Sequence, residues 1–509
     1  MKKYIDEALY EYSKGEVYPF HMPGHKRSFC PETLKNPYEI DITEITGFDN
    51  LHHAEGILLE AQKRVAKLYH ADKSFYLING STAGLLSAIS ACTSDGGSIL
   101  MARNCHKAAY HAVYLRRLHA HYLYPAVFEE TELNGGITPK AVEEALNVCP
   151  EIEAVLITSP SYDGMVSDIA AISEIVHAHQ IPLIVDEAHG AHLRFSDTFP
   201  ESALENGADI VIQSLHKTLP SLTQTALLHT QGSLVSEERL KRFLSIYQSS
   251  SPSYVFMSSM DACIRLLESS SEVLFKEYTV RLKECRRKLS DLKHLHLVKP
   301  DEVVGKNGVY DMDCSKIIIS TKGTSIDGEM LREKLLDKYQ LEMEMTAPSY
   351  VLALSSVMDS EEGFARLAGA LLEIDSAFDS ETESQIKEKA QTKIEFTDKD
   401  AICTIAEAMD ADWEEVNLKE AEERVSTEFA YLYPPGIPCI VPGERVTKEL
   451  IEKIESWKMQ GLEVQGLIDY HAQKIRVQKG ELWEKYFISW EKVLPEKTPS
   501  IESFRNQRI

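Results

Sequence analysis

A chain of 509 residues is long for one hydrophobic core, so two or three domains are expected. Its 79 acidic residues against 54 basic ones leave a formal charge of −25, which disfavours nucleic acid as a partner because phosphate binding needs clustered Lys and Arg. No run of about 18 apolar residues exists, and Met1-Lys2-Lys3 leads into a mixed polar stretch rather than a signal-peptide core, so no membrane association and a cytoplasmic location are expected. Nine cysteines, scattered from Cys30 to Cys439 without a C-x-x-C pair, read as reduced thiols and not as a disulfide framework or a thiolate metal site.

In chain order, helical spacing is expected over 4–13, followed by the loop 20–28 in which Pro23-Gly24 marks a turn, and then a helix over 54–69. From Ser74 a rhythm begins. Apolar strand candidates at 74–78, 98–102, 154–158, 183–186, 209–213 and 226–230 alternate with helical stretches at 83–92, 107–118, 139–146 and 169–179. Strands separated by crossover helices predict a mostly parallel α/β sheet covered on both faces. A long helix over 257–290, strands at 316–320 and 350–355 and a helix at 363–374 predict a smaller α+β unit. The expected division is an N-terminal segment 1–70, a large domain 71–256, a small α+β domain 257–375, an acidic connector 376–400 and a C-terminal α+β domain 401–509.

In a parallel α/β sheet the ligand lies beyond the carboxyl ends of the strands. The chemistry-bearing stretches all fall there. Asn79-Gly-Ser-Thr-Ala-Gly84 joins a strand to an apolar helix, so that backbone N–H groups with the Ser81 and Thr82 hydroxyls can cradle a phosphate; an ordinary Ser/Thr helix cap is the alternative. Arg103-Asn-Cys-His106 follows a second strand and offers a flat imidazole. Val185-Asp186 ends a third and offers a carboxylate. The run 210–213 delivers Ser214, His216 and Lys217 into a Thr/Pro/Ser-rich turn in place of a helix, and a partly desolvated lysine there can form a Schiff base with a carbonyl. Asp186 precedes Lys217 by 217 − 186 = 31 residues, a one-crossover interval.

Asp186-Glu-Ala-His189 also spells a helicase signature, but no G-x-x-x-x-G-K-[ST] phosphate loop accompanies it. A divalent metal held by His106, Glu187, His189 and His192 would leave Lys217 and the hydroxyl cradle without a role, so no metal is expected. A phosphate cradle, a flat ring, a strand-end carboxylate and a strand-end amine together describe pyridoxal 5′-phosphate.

The motifs Pro23-Gly24-His25-Lys26, Asn79-Gly80-Ser81-Thr82, Arg103-Asn104-Cys105-His106-Lys107, Ser161-Tyr162-Asp163-Gly164, Asp186-x-Ala188-His189, Ser214-x-His216-Lys217, Ser250-Ser251-Pro252 and Tyr433-Pro434-Pro435-Gly436 resemble, in order, those of the bacterial Orn/Lys/Arg decarboxylases. These are pyridoxal-phosphate enzymes of fold type I. The resemblance implies decarboxylation of a basic amino acid in polyamine metabolism, arginine ahead of lysine and ornithine. It makes Lys217 the residue that carries the cofactor, Asp186 the partner of the ring nitrogen and His106 the stacked ring. Ser81, Thr82, Ser214 and His216 would hold the phosphate, with His189 also against the cofactor. Relatives place the site at a dimer interface, so Ser250 or Ser251 of a second copy would reach the phosphate.

The family's large inducible members carry an N-terminal wing that this chain lacks, which implies a homodimer or small oligomer. His189 stands where some relatives have tryptophan. Carboxylates for the substrate's basic end would come from Asp163, Glu444 or the loop 41–44, although surface charge is the simpler account of each. An aminotransferase or lyase of the same fold, or a silent cofactor-binding protein, are the alternative functions.

Overall fold

The computed structural model describes residues 4–128, 131–378, 401–432, 437–459 and 464–480. Most of the expected acidic connector and the Tyr433–Gly436 motif lie outside these residues. The chain divides into two compact units, one drawn from Met1–Phe396 with Pro434–Ile437, the other from Thr397–Tyr433 with Pro438–Ile509.

The first unit is built on a seven-stranded sheet. Its strands are β1 (Lys73–Leu77), β2 (Ser98–Ala102), β3 (His119–Leu123), β4 (Ile152–Thr158), β5 (Leu183–Asp186), β6 (Ile210–Gln213) and β7 (Ala226–Thr230), in the spatial order β1-β7-β6-β5-β4-β2-β3. Only β7 runs against its neighbours; β6, β5, β4, β2 and β3 pair in parallel. Every residue of β2, β5 and β6 is buried, as near-continuous apolar strands covered on both faces must be. The edge strand β3, His-Ala-His-Tyr-Leu, was not expected. Only its last residue is buried, so it carries no apolar run.

Helix α1 (Gly80–Cys92) lies close on the sheet because Gly84 allows it: a Cβ there would come within 2.7 Å of Leu77 Cδ1 and 3.0 Å of Ile212 Cγ2. Helix α2 (Lys107–Leu115) crosses from β2 to β3. Helix α3 (Tyr254–Leu289), capped by Ser253 accepting from Phe256 N, leads into a second, antiparallel sheet. Its strands β8 (His296–Leu297), β9 (Lys316–Ser320), β10 (Met345–Ala347) and β11 (Tyr350–Leu354) lie in the order β8-β9-β11-β10, and helix α4 (Glu361–Ala377) follows. Leu133 and Met165 from the large-sheet region pack with Val298, Ile318, Tyr350 and Leu352, so one apolar cluster ties the two sheets together.

The second unit is α+β. Strand Trp413–Asn417 pairs antiparallel with Lys474–Gln478, and Ala430–Leu432 pairs with both Pro438–Ile440 and Val464–Gln465. Its helix Ile405–Asp410 opens on a capping box formed by Thr404 and Glu407.

Candidate active site

The site forms where the large-sheet strands end. Asp186 is the last residue of β5, and Ser214 and Lys217 follow β6. The segment after β6 is not the open turn expected from its sequence: Leu215–Thr218 makes one turn of α-helix before Leu219-Pro220 ends it. Extended Ser214 starts that turn, and the helical φ/ψ brings His216 and Lys217 round to the strand-end side.

Ser81 and Thr82 lie in the first turn of α1, whose N-cap is Asn79 with no side-chain cap bond. They are therefore not caps. Ser81 Oγ meets Ser214 Oγ at 2.7 Å, so hydroxyls from α1 and from the Lys217 turn converge beside the N–H groups that open the helix. The segment after helix Glu237–Tyr247 also reaches this cradle, where Ser249 N donates to Asn79 Oδ1 at 3.1 Å; Ser250 and Ser251 are exposed on the single chain.

Lys217 Nζ lies 2.9 Å from His189 Nε2. Burial lowers its pKa, against the attraction of Asp186 and Glu344. Asp186 is buried, and burial raises its pKa against the pull of Lys217; among the described residues its one hydrogen bond is from Ala188 N at 3.2 Å. A buried carboxylate with so few donors suits a cationic N–H partner. His106 caps α2 through Nδ1, which accepts from Ala108 N at 3.2 Å, and burial above all holds it down at about 3. His216 Nδ1 faces Thr225 O at 2.9 Å, which puts the proton on Nδ1, and burial lowers its pKa to about 4. His189 is held well below its ordinary range by burial and by Lys217, Lys316, His216 and His106 around it. Lys217 thus meets His189 and is coupled to Asp186 and His106, and Ser81 meets Ser214 at the start of α1, so that amine, carboxylate, imidazole and hydroxyls lie at the strand ends. The set fits a planar, phosphate-bearing aldehyde.

Residues 5–335 match the Orn/Lys/Arg decarboxylase major domain, and residues 382–461 match the C-terminal domain of the same family. The chain belongs to the Orn/Lys/Arg decarboxylase family. Family relatives include an arginine decarboxylase of Bacillus subtilis, 31% identical over 479 residues that span 93% of this chain and 97% of that one. The inducible lysine decarboxylase of Escherichia coli is 24% identical and aligns over 89% of this chain and 76% of its own. Among solved structures, the constitutive lysine decarboxylase of E. coli superposes with a TM-score of 0.73 at 20% identity, over 93% of this chain and 81% of that one. A pyridoxamine-pyruvate aminotransferase of Mesorhizobium loti reaches 0.53 at 18% identity, over 72% and 93%. These likenesses show the fold, that of the type I pyridoxal-phosphate enzymes.

Three features of this family member were not visible in its sequence. The loop 20–28 is seated on the Lys217 turn, with Gly24 N donating to His216 O at 2.7 Å. Lys26, buried beneath it, donates to Pro19 O, His21 O and Leu354 O at 3.0, 2.9 and 2.7 Å. The small sheet supplies charged groups as well: Lys316 of β9 places Nζ 2.9 Å from His189 Nδ1, and Glu344 accepts from Tyr162 Oη at 2.5 Å and Met22 N at 2.7 Å. A lysine opening the apolar run Ile317–Ile319 gives no sign in sequence that it points inward.

Asp163 is not the surface charge its sequence suggested. It is buried, accepts from Tyr350 Oη at 2.9 Å, and burial pushes its carboxyl up to about 6. No residue of the loop 41–44 is buried, Asp41 being exposed and Glu44 half-buried, and Glu444 belongs to the second unit, where Oε2 accepts from Val441 N. The four residues weighed as a metal set have separate partners: Glu187 accepts from Ser202 Oγ and Ala203 N, and His192 faces Asp313. Among the described residues no helix is long and apolar enough to cross a membrane.

Proposed function

We propose that this chain is a pyridoxal-phosphate-dependent decarboxylase of a basic L-amino acid, with arginine the favoured substrate. The observation that carries the reading is the amine of Lys217, partly desolvated and electrostatically coupled to Asp186, His106 and His189 at the strand ends of a type I fold. When bound, pyridoxal phosphate supplies an aldehyde for the amino group and a ring that accepts the electron pair released as CO₂ departs.

The residues divide the work. Lys217, whose pKa burial lowers towards the uncharged form, would be the nucleophile that holds the aldehyde. Asp186 would keep the ring nitrogen protonated, and its own burial would make that charge pairing strong. His106 would be the imidazole placed against the ring; being neutral, it would add no positive charge that competes for electrons. The N–H groups of α1 with Ser81, Thr82 and Ser214 would bind the phosphate, and His216 would add its Nε2 edge to that region. By holding the phosphate and the ring, these residues would orient the bond to the scissile carboxylate for cleavage. With the aldehyde passed to the substrate's amino group, Lys217 in its ammonium form would be the donor of the proton that takes the place of CO₂ on the substrate's Cα; His216, neutral with Nδ1 on a carbonyl, would be the poorer donor.

The same reading gives residues 71–256 the cofactor and residues 257–375 the closing side of the site, and places a hydroxyl of Ser250 or Ser251 of a second copy at the phosphate in a cytoplasmic homodimer serving polyamine synthesis. The arginine preference is supported by the arginine decarboxylases of Bacillus among the relatives. Incubation with carboxyl-labelled arginine, lysine and ornithine tests it. Labelled CO₂ is expected from arginine first, whereas an aminotransferase would leave the label in the organic product. The Lys217→Ala variant is expected to lose both CO₂ release and the visible absorbance of the lysine-bound cofactor.

A further inference from the structure

His189 is gripped at both ends by amines, with Lys217 Nζ 2.9 Å from Nε2 and Lys316 Nζ 2.9 Å from Nδ1. Lys316 is fully buried. A neutral imidazole has one N–H and one lone pair, and an ammonium can only donate. Two ammonium groups would demand two lone pairs, and a protonated imidazole would offer none. At most one of these lysines can be charged, and the other must accept the imidazole N–H through its own lone pair.

The surroundings decide which. Burial lowers the pKa of both amines, that of Lys316 to about 8, but three carboxylates, Asp313, Glu344 and Asp163, counter it at Lys316 and two, Asp186 and Glu344, at Lys217. Although burial opposes it, the contacts of Asp313 with His192, Lys316 and Ser315 hold its carboxyl below the ordinary range, so it stays ionised beside Lys316. Asp186 is the carboxylate that the ring nitrogen would claim. His106 and His216, the other titratable groups around His189, are neutral, and Tyr162 packs edge-on against its ring with centroids 4.8 Å apart.

We propose that Lys316 is a positioning residue for Lys217: its ammonium donates to His189 Nδ1, fixes the Nε2–H tautomer and leaves Lys217 as the uncharged amine. This rests on the reading of Lys217 as the aldehyde-bearing residue and adds to it the means by which its charge state is set. The device draws on both sheets, since Lys316 comes from β9 and His189 from the loop after β5. It also leaves an N–H, that of His189 Nε2, aimed at the place where the Lys217 nitrogen reacts.

The test uses the full chain. Stripped of cofactor, it is labelled with acetic anhydride across a pH series and the modified lysines are read by mass spectrometry; loaded with cofactor, its visible absorbance is titrated over the same range. In the wild type, Lys217 is expected to become reactive at lower pH than Lys316. In Lys316→Met the Nδ1 lone pair loses its donor, the tautomer is free to invert, and Lys217 can carry the charge. The midpoint of its labelling is then expected to rise by about one pH unit, a roughly tenfold loss of reactivity at neutral pH. Lys316→Arg is expected to restore the wild-type midpoint, and the shift is expected to vanish when Lys316→Met is made in a His189→Phe background.

A Lys316 that merely fills space would change the melting temperature and leave the midpoint in place. An unchanged midpoint in Lys316→Met, a shift that persists without His189, or Lys316 titrating below Lys217 in the wild type would each overturn the proposal; the last needs no variant to fold. Failure of the underlying reading has a different signature, visible absorbance that survives in Lys217→Ala.

Discussion

Replacing Gly24 by alanine tests whether the loop 20–28 holds the Lys217 turn in place. A Cβ at this position would lie 2.8 Å from both Leu219 N and Thr218 C, and 2.9 Å from Leu219 O. Comfortable carbon contacts are about 3.5–4.0 Å, so the loop and the turn must separate by roughly 0.7 Å. All three obstructing atoms are backbone, and no side-chain rotation can relieve them. The movement strains the 2.7 Å bond from Gly24 N to His216 O and the 2.7 Å bond from Ser356 Oγ to Gly24 O. Overpacking of this kind costs about 1–3 kcal/mol, and weakening two buried hydrogen bonds brings the expected loss to about 2–4 kcal/mol. The urea midpoint reports it. Because the displaced turn carries Lys217, kcat/KM for CO₂ release should fall by about a hundredfold, the typical effect of a 1 Å misplacement. Gly369→Ala is the control: it lies on the exposed side of α4 with nothing within 4 Å of the added carbon, and should gain about 0.5–1 kcal/mol from helix propensity. Wild-type stability and wild-type kcat/KM in Gly24→Ala would refute the argument that this contact seats the amine.

Asp186→Asn keeps the shape and removes the charge; cofactor affinity, followed by absorbance titration, should drop about ten- to hundredfold, the worth of one charge-assisted hydrogen bond. Burial holds His229 down at about 3, where it contacts Ser74 Oγ at 2.7 Å and Gln213 Oε1 at 3.2 Å. Between that value and the ordinary histidine pKa the unfolded chain binds a proton that the folded chain refuses, so this group makes stability fall as the pH drops from about 6.5 towards 3. His229→Gln should therefore flatten the stability profile in that window by about 1.4 kcal/mol per pH unit relative to wild type, measured as urea midpoints at pH 4.5 to 6. Asp375 of α4 accepts from Lys293 N, His294 N and Leu295 N at 2.8, 2.9 and 2.7 Å, and Asp375→Ala should cost about 2–3 kcal/mol in thermal or urea unfolding.

The parts of the fold that could be read in advance are those where a physical requirement writes itself into consecutive residues. Strands β2, β5, β6 and β7 are buried apolar runs, and the helices between them carry helical spacing. Since parallel strands present their carboxyl ends on one side, Asp186, His106, Ser214 and Lys217 could be gathered there before any coordinates. What escaped was non-local. Edge strand β3 has a polar face and no apolar run, and Tyr18–Phe20 is a strand only because it pairs in parallel with Leu341–Met343, more than 300 residues away. The one-turn helix Leu215–Thr218 hides in residues that favour a loop. Lys316 and Glu344 were missed for the same reason: their roles come from the small sheet folding over His189, and nothing in their own neighbourhoods records it.

The ammonium of Lys26 is satisfied by carbonyls of Pro19, His21 and Leu354, and the last of these is 328 positions further along the chain. A nascent polypeptide emerging from the ribosome therefore cannot finish its reactive centre when Lys217 has been made. The lysine near its beginning must wait for the final strand of the small sheet, so any product truncated before Leu354 would hold the chemistry's residues without the fastening that assembles them.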